Sequence, residues 1–148
     1  MNRSLAVRLR LLFVPLALLG LLSLSACSGG PNQSGVPLPA FLKDAPARVA
    51  DSYHYTMDNP QELEKYPCYC GCDALGHRSN RDCYIESINQ DSSIVWDTHA
   101  SGCQICGDIT QDVKRMRNEG WNSSGIRTYI DNKYSPLGPP TDTPLPVD

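Results

Sequence analysis

The chain has 148 residues, 13 basic against 16 acidic, and a net charge of −3 with its histidines neutral. Without residues 1–26, which hold Arg3, Arg8 and Arg10 and no acidic side chain, ten basic groups face sixteen acidic ones, a balance near −6. Such a balance repels phosphates and argues against nucleic acid and anionic lipid headgroups as partners, whereas cations suit it.

In chain order, "MNRSLAVRLR" supplies a basic n-region ahead of the apolar run "LLFVPLALLGLLSL", which Pro15 and Gly20 interrupt and small residues follow. That ordering is an export signal peptide, residues 1–26. "LSAC", residues 24–27, resembles the lipobox of bacterial lipoproteins. The resemblance implies that Cys27 becomes the lipidated, palmitate-bearing first residue of a chain anchored to a membrane without spanning it. Residues 27–40, with "SGGPNQSGVPLP", read as a flexible tether. Residues 41–135 form one small Cys/His-rich domain, below the size at which an apolar core alone stabilises a fold comfortably, so crosslinks are expected. Residues 136–148 carry Pro136, Pro139, Pro140, Pro144 and Pro146 and read as an extended Pro-rich tail.

The domain carries four helix signals. "DAPARVADSYHYTMDN" offers Asp44 as a cap and a stripe through Val49, Tyr53 and Met57, ending before Pro60. A second, short helix has Asn59 at the N-cap, Pro60 at N1 and Glu62 at N3, able to reach back to the cap. A third runs from Gln104 to Asn118 with Ile105, Ile109, Val113 and Met116 on one face and Gly120 as its stop. The fourth is "NSSGIRTYIDNKY", capped by Asn122, with Trp121 placed to staple on Ile126 and with Ile126, Tyr129, Ile130 and Tyr134 as its stripe. Segment 73–102 reads mainly as loop with one short strand, "SIVW". The fold class expected is therefore mainly α, a small single domain of about four short helices with a Cys/His-rich loop region crosslinked by metal or disulfides.

The chemistry sits in the thiols. Besides Cys27 there are Cys68, Cys70, Cys72, Cys83, Cys103 and Cys106. An even six in an exported domain suits three structural disulfides, a stapled scaffold. Yet in an extended "PCYCGC" the alternate thiols 68, 70 and 72 point one way with Cα atoms nearly 7 Å apart, at or beyond disulfide range. Each would need its partner among Cys83, Cys103 and Cys106. A metal ion asks only that the chain curl, which Gly71 permits, until the sulfurs lie about 2.3 Å from it. In "HASGCQIC" the Cys103/Cys106 pair opens a helix, where free N–H groups favour thiolate. His77 and His99 are spaced to join the thiols. His54 stands far from any cysteine, Met57 fits the core, and Asp73, Asp82 and Glu86 read as solvated charges.

The succession "PCYCGC", "GHRSNRDC", "HASGCQIC" and "GIRTYIDNKY" resembles the PCYCGC-motif lipoproteins, small bacterial envelope proteins, over roughly residues 41–135 and without departure at the cysteines, His77 or His99. The resemblance implies that these positions act as one unit. The candidate metal ligands are thus Cys68, Cys70, Cys72, His77, Cys83, His99, Cys103 and Cys106. Dense thiolate suits copper(I) best, with zinc as the alternative in one or two tetrahedral sets. Haem attachment is excluded because Gly107, not histidine, follows Cys106.

No nucleophile elbow, P-loop or zinc-protease helix is present, and an enzyme is not expected. A thiol–disulfide role for Cys103 and Cys106 lacks the βαβ setting such a motif normally occupies. The reading is a lipid-anchored, extracytoplasmic protein that binds a soft metal for sequestration, sensing or transfer, with an envelope metal-handling protein as its partner.

Overall fold

The computed structural model of the protein describes residues 37–147. The expected signal peptide, the lipobox with Cys27, and residues 27–36 of the expected tether lie outside them. Of residues 37–40, Leu38 is half-buried against the core and Ala40 opens the 3-10 turn Ala40–Leu42, which buries Leu42.

Helix α1 (Ala47–Asp58) does not start from a cap on Asp44. Ala45 precedes a proline and is pushed out of the helical region, so the helix begins only after Pro46, which stands at the N-cap with ψ 142°. Tyr53, Thr56 and Met57 form its buried face. Helix α2 (Pro60–Leu63) has Pro60 in its first turn as expected, but its cap chemistry differs. Asn59 Nδ2 donates backward to the Tyr55 carbonyl at 3.0 Å, closing α1. Glu62 turns to Arg117 at 2.6 Å, Lys65 at 2.7 Å and the Tyr66 hydroxyl at 2.5 Å. A charge-assisted fork with a guanidinium is stronger than a bond to one neutral amide, which is why the reciprocal cap does not form.

Segment 73–102 holds more structure than its polar composition suggests. Strand β2 (Ile94–Trp96) pairs antiparallel with β1 (Ile85–Ile88), Ile85 opposite Trp96 and Ile88 opposite Ile94. An irregularity between Ile85 and Ser87 shifts the register. Ile85 is buried, while Ile88, three residues on and so on the other face, is exposed. The single turn α3 (His99–Gly102) then leads into α4 (Gln104–Asn118), and α5 (Ser123–Tyr134) follows. These five α-helices and one hairpin give a mainly α domain among the described residues. No helix of those residues is long and apolar enough to cross a membrane.

Helix α4 packs against both α1 and α5. Its Ile109, Val113 and Met116 are buried, as are Ile126, Ile130 and Tyr134 of α5. Asn122 caps α5 by accepting the Gly125 N–H at 2.9 Å, and Trp121 lies half exposed with its ring over Gly125. Polar ties cross the core as well. Buried Asn80 donates to Thr110 Oγ1 at 2.7 Å, and that hydroxyl bonds to Tyr84 Oη at 2.8 Å and to the Cys106 carbonyl at 3.1 Å. Buried polar groups of this kind are stabilising only when satisfied. They fix the start of α4 against the turn that carries Cys83.

Beyond the 3-10 turn Ser135–Leu137, the Pro-rich segment is irregular, as its prolines require. It runs back along the PCYCGC stretch. Thr141 N–H donates to the Cys68 carbonyl at 2.9 Å, and Thr141 Oγ1 accepts the Cys68 N–H at 3.0 Å. Gly138 passes so close to Tyr69 that a Cβ there would stand 2.9 Å from its carbonyl oxygen. Thr143 Oγ1 donates to the Arg78 carbonyl, and Arg127 holds the Thr143 carbonyl at 3.1 Å.

Candidate metal centre

The PCYCGC stretch reaches the core as an extended chain whose side chains alternate. Tyr69 points to α5, donating to Asp131 Oδ1 at 2.6 Å and stacking on Tyr134, while its neighbours carry sulfur to the opposite side. Gly71 then adopts φ 80°, a conformation that glycine takes without steric cost. This bend starts the 3-10 turn Cys72–Leu75 and swings Cys72 toward Cys83. Cys83 ends a second 3-10 turn, Asn80–Cys83, whose start Asp82 secures by accepting the N–H groups of Arg78 at 2.8 Å and Ser79 at 3.1 Å. Cys103 is the N-cap of α4 and Cys106 lies in its first turn.

All six cysteines among the described residues are free thiols, and they converge. Cys68 Sγ is 3.2 Å from Cys70 Sγ and 3.3 Å from Cys106 Sγ, which is itself 3.6 Å from Cys70 Sγ. Cys72 and Cys83 are 3.7 Å apart. His99 Nε2 meets Cys70 Sγ at 3.3 Å. Disulfides join sulfurs in pairs at about 2.05 Å, whereas none of these pairs stands that close and each corner of the Cys68–Cys70–Cys106 triangle touches two other sulfurs. Four donors at about 2.3 Å around one tetrahedral ion stand roughly 3.8 Å from one another. The observed spacings are close to that edge.

Two sets of four donors have all their ligand atoms within 4.8 Å of one another: Cys68, Cys70, Cys72 and Cys83, and Cys70, His99, Cys103 and Cys106. These groups could hold a metal ion, and their soft donors fit one of borderline or soft character. His77 is brought beside the cluster but into neither group. Its buried ring packs edge-on against His99 with centroids 5.5 Å apart, and its Nε2 lies 3.4 Å from Asp97 Oδ2. His54 is on α1, and Met57 is buried.

Asp97, which the sequence pattern does not single out, organises the histidines. Its Oδ1 accepts the His99 N–H at 2.6 Å, fixing the start of α3, while Oδ2 faces His77 and its carbonyl accepts the Tyr53 hydroxyl at 2.8 Å. The signal that could have found it is the short "DTH" spacing, since an aspartate two residues before a helical residue readily accepts that residue's N–H.

Electrostatics follow from the crowding. The Cys106 thiol is the first cause that holds Cys68 down, at about 4, and it also lowers Cys70 and brings Cys103 to about 7. The other three thiols are pushed up: Cys106 chiefly by its bond with Cys103, Cys83 chiefly by that with Cys106, and Cys72 chiefly by that with Cys68. Burial opposes charge on His99, but the Cys70 sulfur bonded to it and the surrounding thiols outweigh that and raise its pKa. Six thiols in contact thus cannot all ionise by themselves; a cation at their centre removes that obstacle.

No curated protein and no solved structure matches the chain. A family model does match it, over residues 31–146, and its description is protein of unknown function with PCYCGC motif. With that match covering well over half of the sequence and every cysteine of the cluster, the chain belongs to the PCYCGC-motif family.

Proposed function

We propose that this protein is a lipid-anchored metal-binding protein of the bacterial cell envelope that takes up a soft d10 ion, copper(I) by preference, for sequestration, sensing or transfer. The observation that carries the reading is the convergence of six thiols and His99, with Cys68, Cys70 and Cys106 each in contact with two other sulfurs. Thiolates at this density select soft ions, and copper(I) is the softest of those available outside the cytoplasm. The N-terminal sequence with Cys27 supports the lipid anchor and the export that places the site in the envelope. An envelope metal-handling protein would receive or supply the ion.

Zinc is the second reading, favoured by one observation: the donors fall into two sets of four, the number a tetrahedral zinc site takes. Both ions make the same use of the domain. Binding ties residues 68 to 106 together and supplies the crosslink that a domain this small needs.

The test is native mass spectrometry of the exported chain, purified without reductant from cells grown with copper and zinc. Bound ion with all six domain thiols intact is the expected result, and the ion's mass assigns copper or zinc. A chain six hydrogens light and without metal would establish three disulfides and end the proposal.

A further inference from the structure

We infer that the cluster is a two-ion centre in which the Cys70 thiolate bridges a deeply held ion and a readily exchanged one. The inference rests on the metal-binding reading above and adds the number of ions, their connection and their unequal exchange.

Donor counting gives the bridge. Six thiols and one imidazole are seven donors, whereas two four-coordinate ions require eight. For the chain to fill both shells by itself one donor serves twice, and Cys70 is the residue common to both sets. A thiolate sulfur has lone pairs for two coordinate bonds. Sharing it also places one fewer negative charge in the interior, where each is costly.

Burial gives the inequality. In the first set Cys68, Cys72 and Cys83 are 0%, 1% and 0% exposed, so its ion has protein on all sides except at the bridge. In the second set only Cys106 is fully buried; Cys70, His99 and Cys103 are each half-buried. A cleft of about 270 Å³ opens beside Cys103, walled by Pro46, Val49, Ala100 and Gly102. A small donor entering there can replace Cys103 on the outer ion, with a solvent proton returning to the released thiolate. Only coordinate bonds change, and no electron is transferred. The buried set is tied to the Pro-rich segment through Cys68, and none of five clefts among the described residues is lined by Cys68, Cys72 or Cys83.

The experiment loads the full-length protein with ¹¹³Cd(II), a d10 probe for either natural ion. Two ions per chain are expected, with two cadmium resonances that split each other through the shared sulfur. On titration with EDTA one resonance disappears first, and the survivor collapses to an unsplit line. His99→Asn should remove the early-lost ion and spare the other.

A single ion, more than two, two resonances without mutual splitting, or simultaneous loss would each overturn the two-ion centre while leaving metal binding in place. Loss of the slow ion in His99→Asn would reverse the assignment and overturn the inference. Failure to bind cadmium at all would overturn the metal-binding reading itself, so the two failures are distinguishable.

Discussion

The bond between the Pro-rich segment and the first cysteine offers a quantitative test of how the centre is held. Thr141→Val preserves shape but removes the oxygen that accepts the Cys68 N–H at 3.0 Å. Cys68 is fully buried and Thr141 is 3% exposed, so water cannot replace the lost acceptor. A buried donor left unsatisfied costs about 1–3 kcal/mol. With a urea m value of about 1.5 kcal/mol/M for a domain of this size, the midpoint should fall by about 0.7–2 M with m unchanged.

Urea denaturation of the two proteins, each stripped with chelator and then reloaded with zinc, measures it. Asp142→Asn serves as the control. Its pair with Arg78 is exposed on both sides, and such pairs contribute little. Because Cys68 belongs to the buried donor set, the loss should also weaken ion binding, making the deficit larger in the loaded protein. A Thr141→Val midpoint matching that of Asp142→Asn would refute the reasoning, since it would mean that residues 138–144 do not hold the PCYCGC stretch.

Three further outcomes are expected. Ile109→Ala, which empties a fully buried position on α4, should destabilise by about 2–5 kcal/mol in the same denaturation assay. Burial opposes the charge on Glu62, but Arg117, Lys65 and Tyr66 outweigh it and hold its pKa below the ordinary 4.5. A carboxylate lowered on folding contributes stability that is complete above its unfolded pKa and vanishes as pH falls through the folded one. Stability followed by circular dichroism should therefore decline below about pH 4.5, and Glu62→Gln should flatten that decline. Finally, His77→Asn should keep the full metal content measured by elemental analysis while His99→Asn loses part of it, because only His99 carries a ring nitrogen within reach of the sulfurs.

Much of the helical framework was legible because its signals are local. The stripes of α4 and α5 repeat at helical spacing, Gly120 and Asn122 mark adjacent ends, and Pro60 opens α2. Where a local rule met a stronger one it gave way. Asp44 lost its cap to Pro46, and Glu62 abandoned its cap for Arg117, a partner 55 residues away. The β1 strand escaped notice because its two apolar residues, Ile85 and Ile88, stand three apart around Glu86 and Ser87 and show no apolar–polar alternation.

The sequence by itself determined the chemistry: alternate thiols at 68, 70 and 72, a Cys-x-x-Cys opening a helix, and a histidine four residues before it. Those features follow from backbone periodicity over a few residues, and periodicity is written in spacing. Only the tertiary structure decided the grouping. Cys68 meets Cys106 across 38 positions, Cys70 stands between two donor sets, and His77 falls to Asp97 instead of a sulfur. It also decided that a Pro-rich segment, barren by composition, closes over the first cysteine. Such contacts depend on how α1, α4 and the hairpin pack together and return distant parts of the chain to one place, and no local spacing encodes that closure.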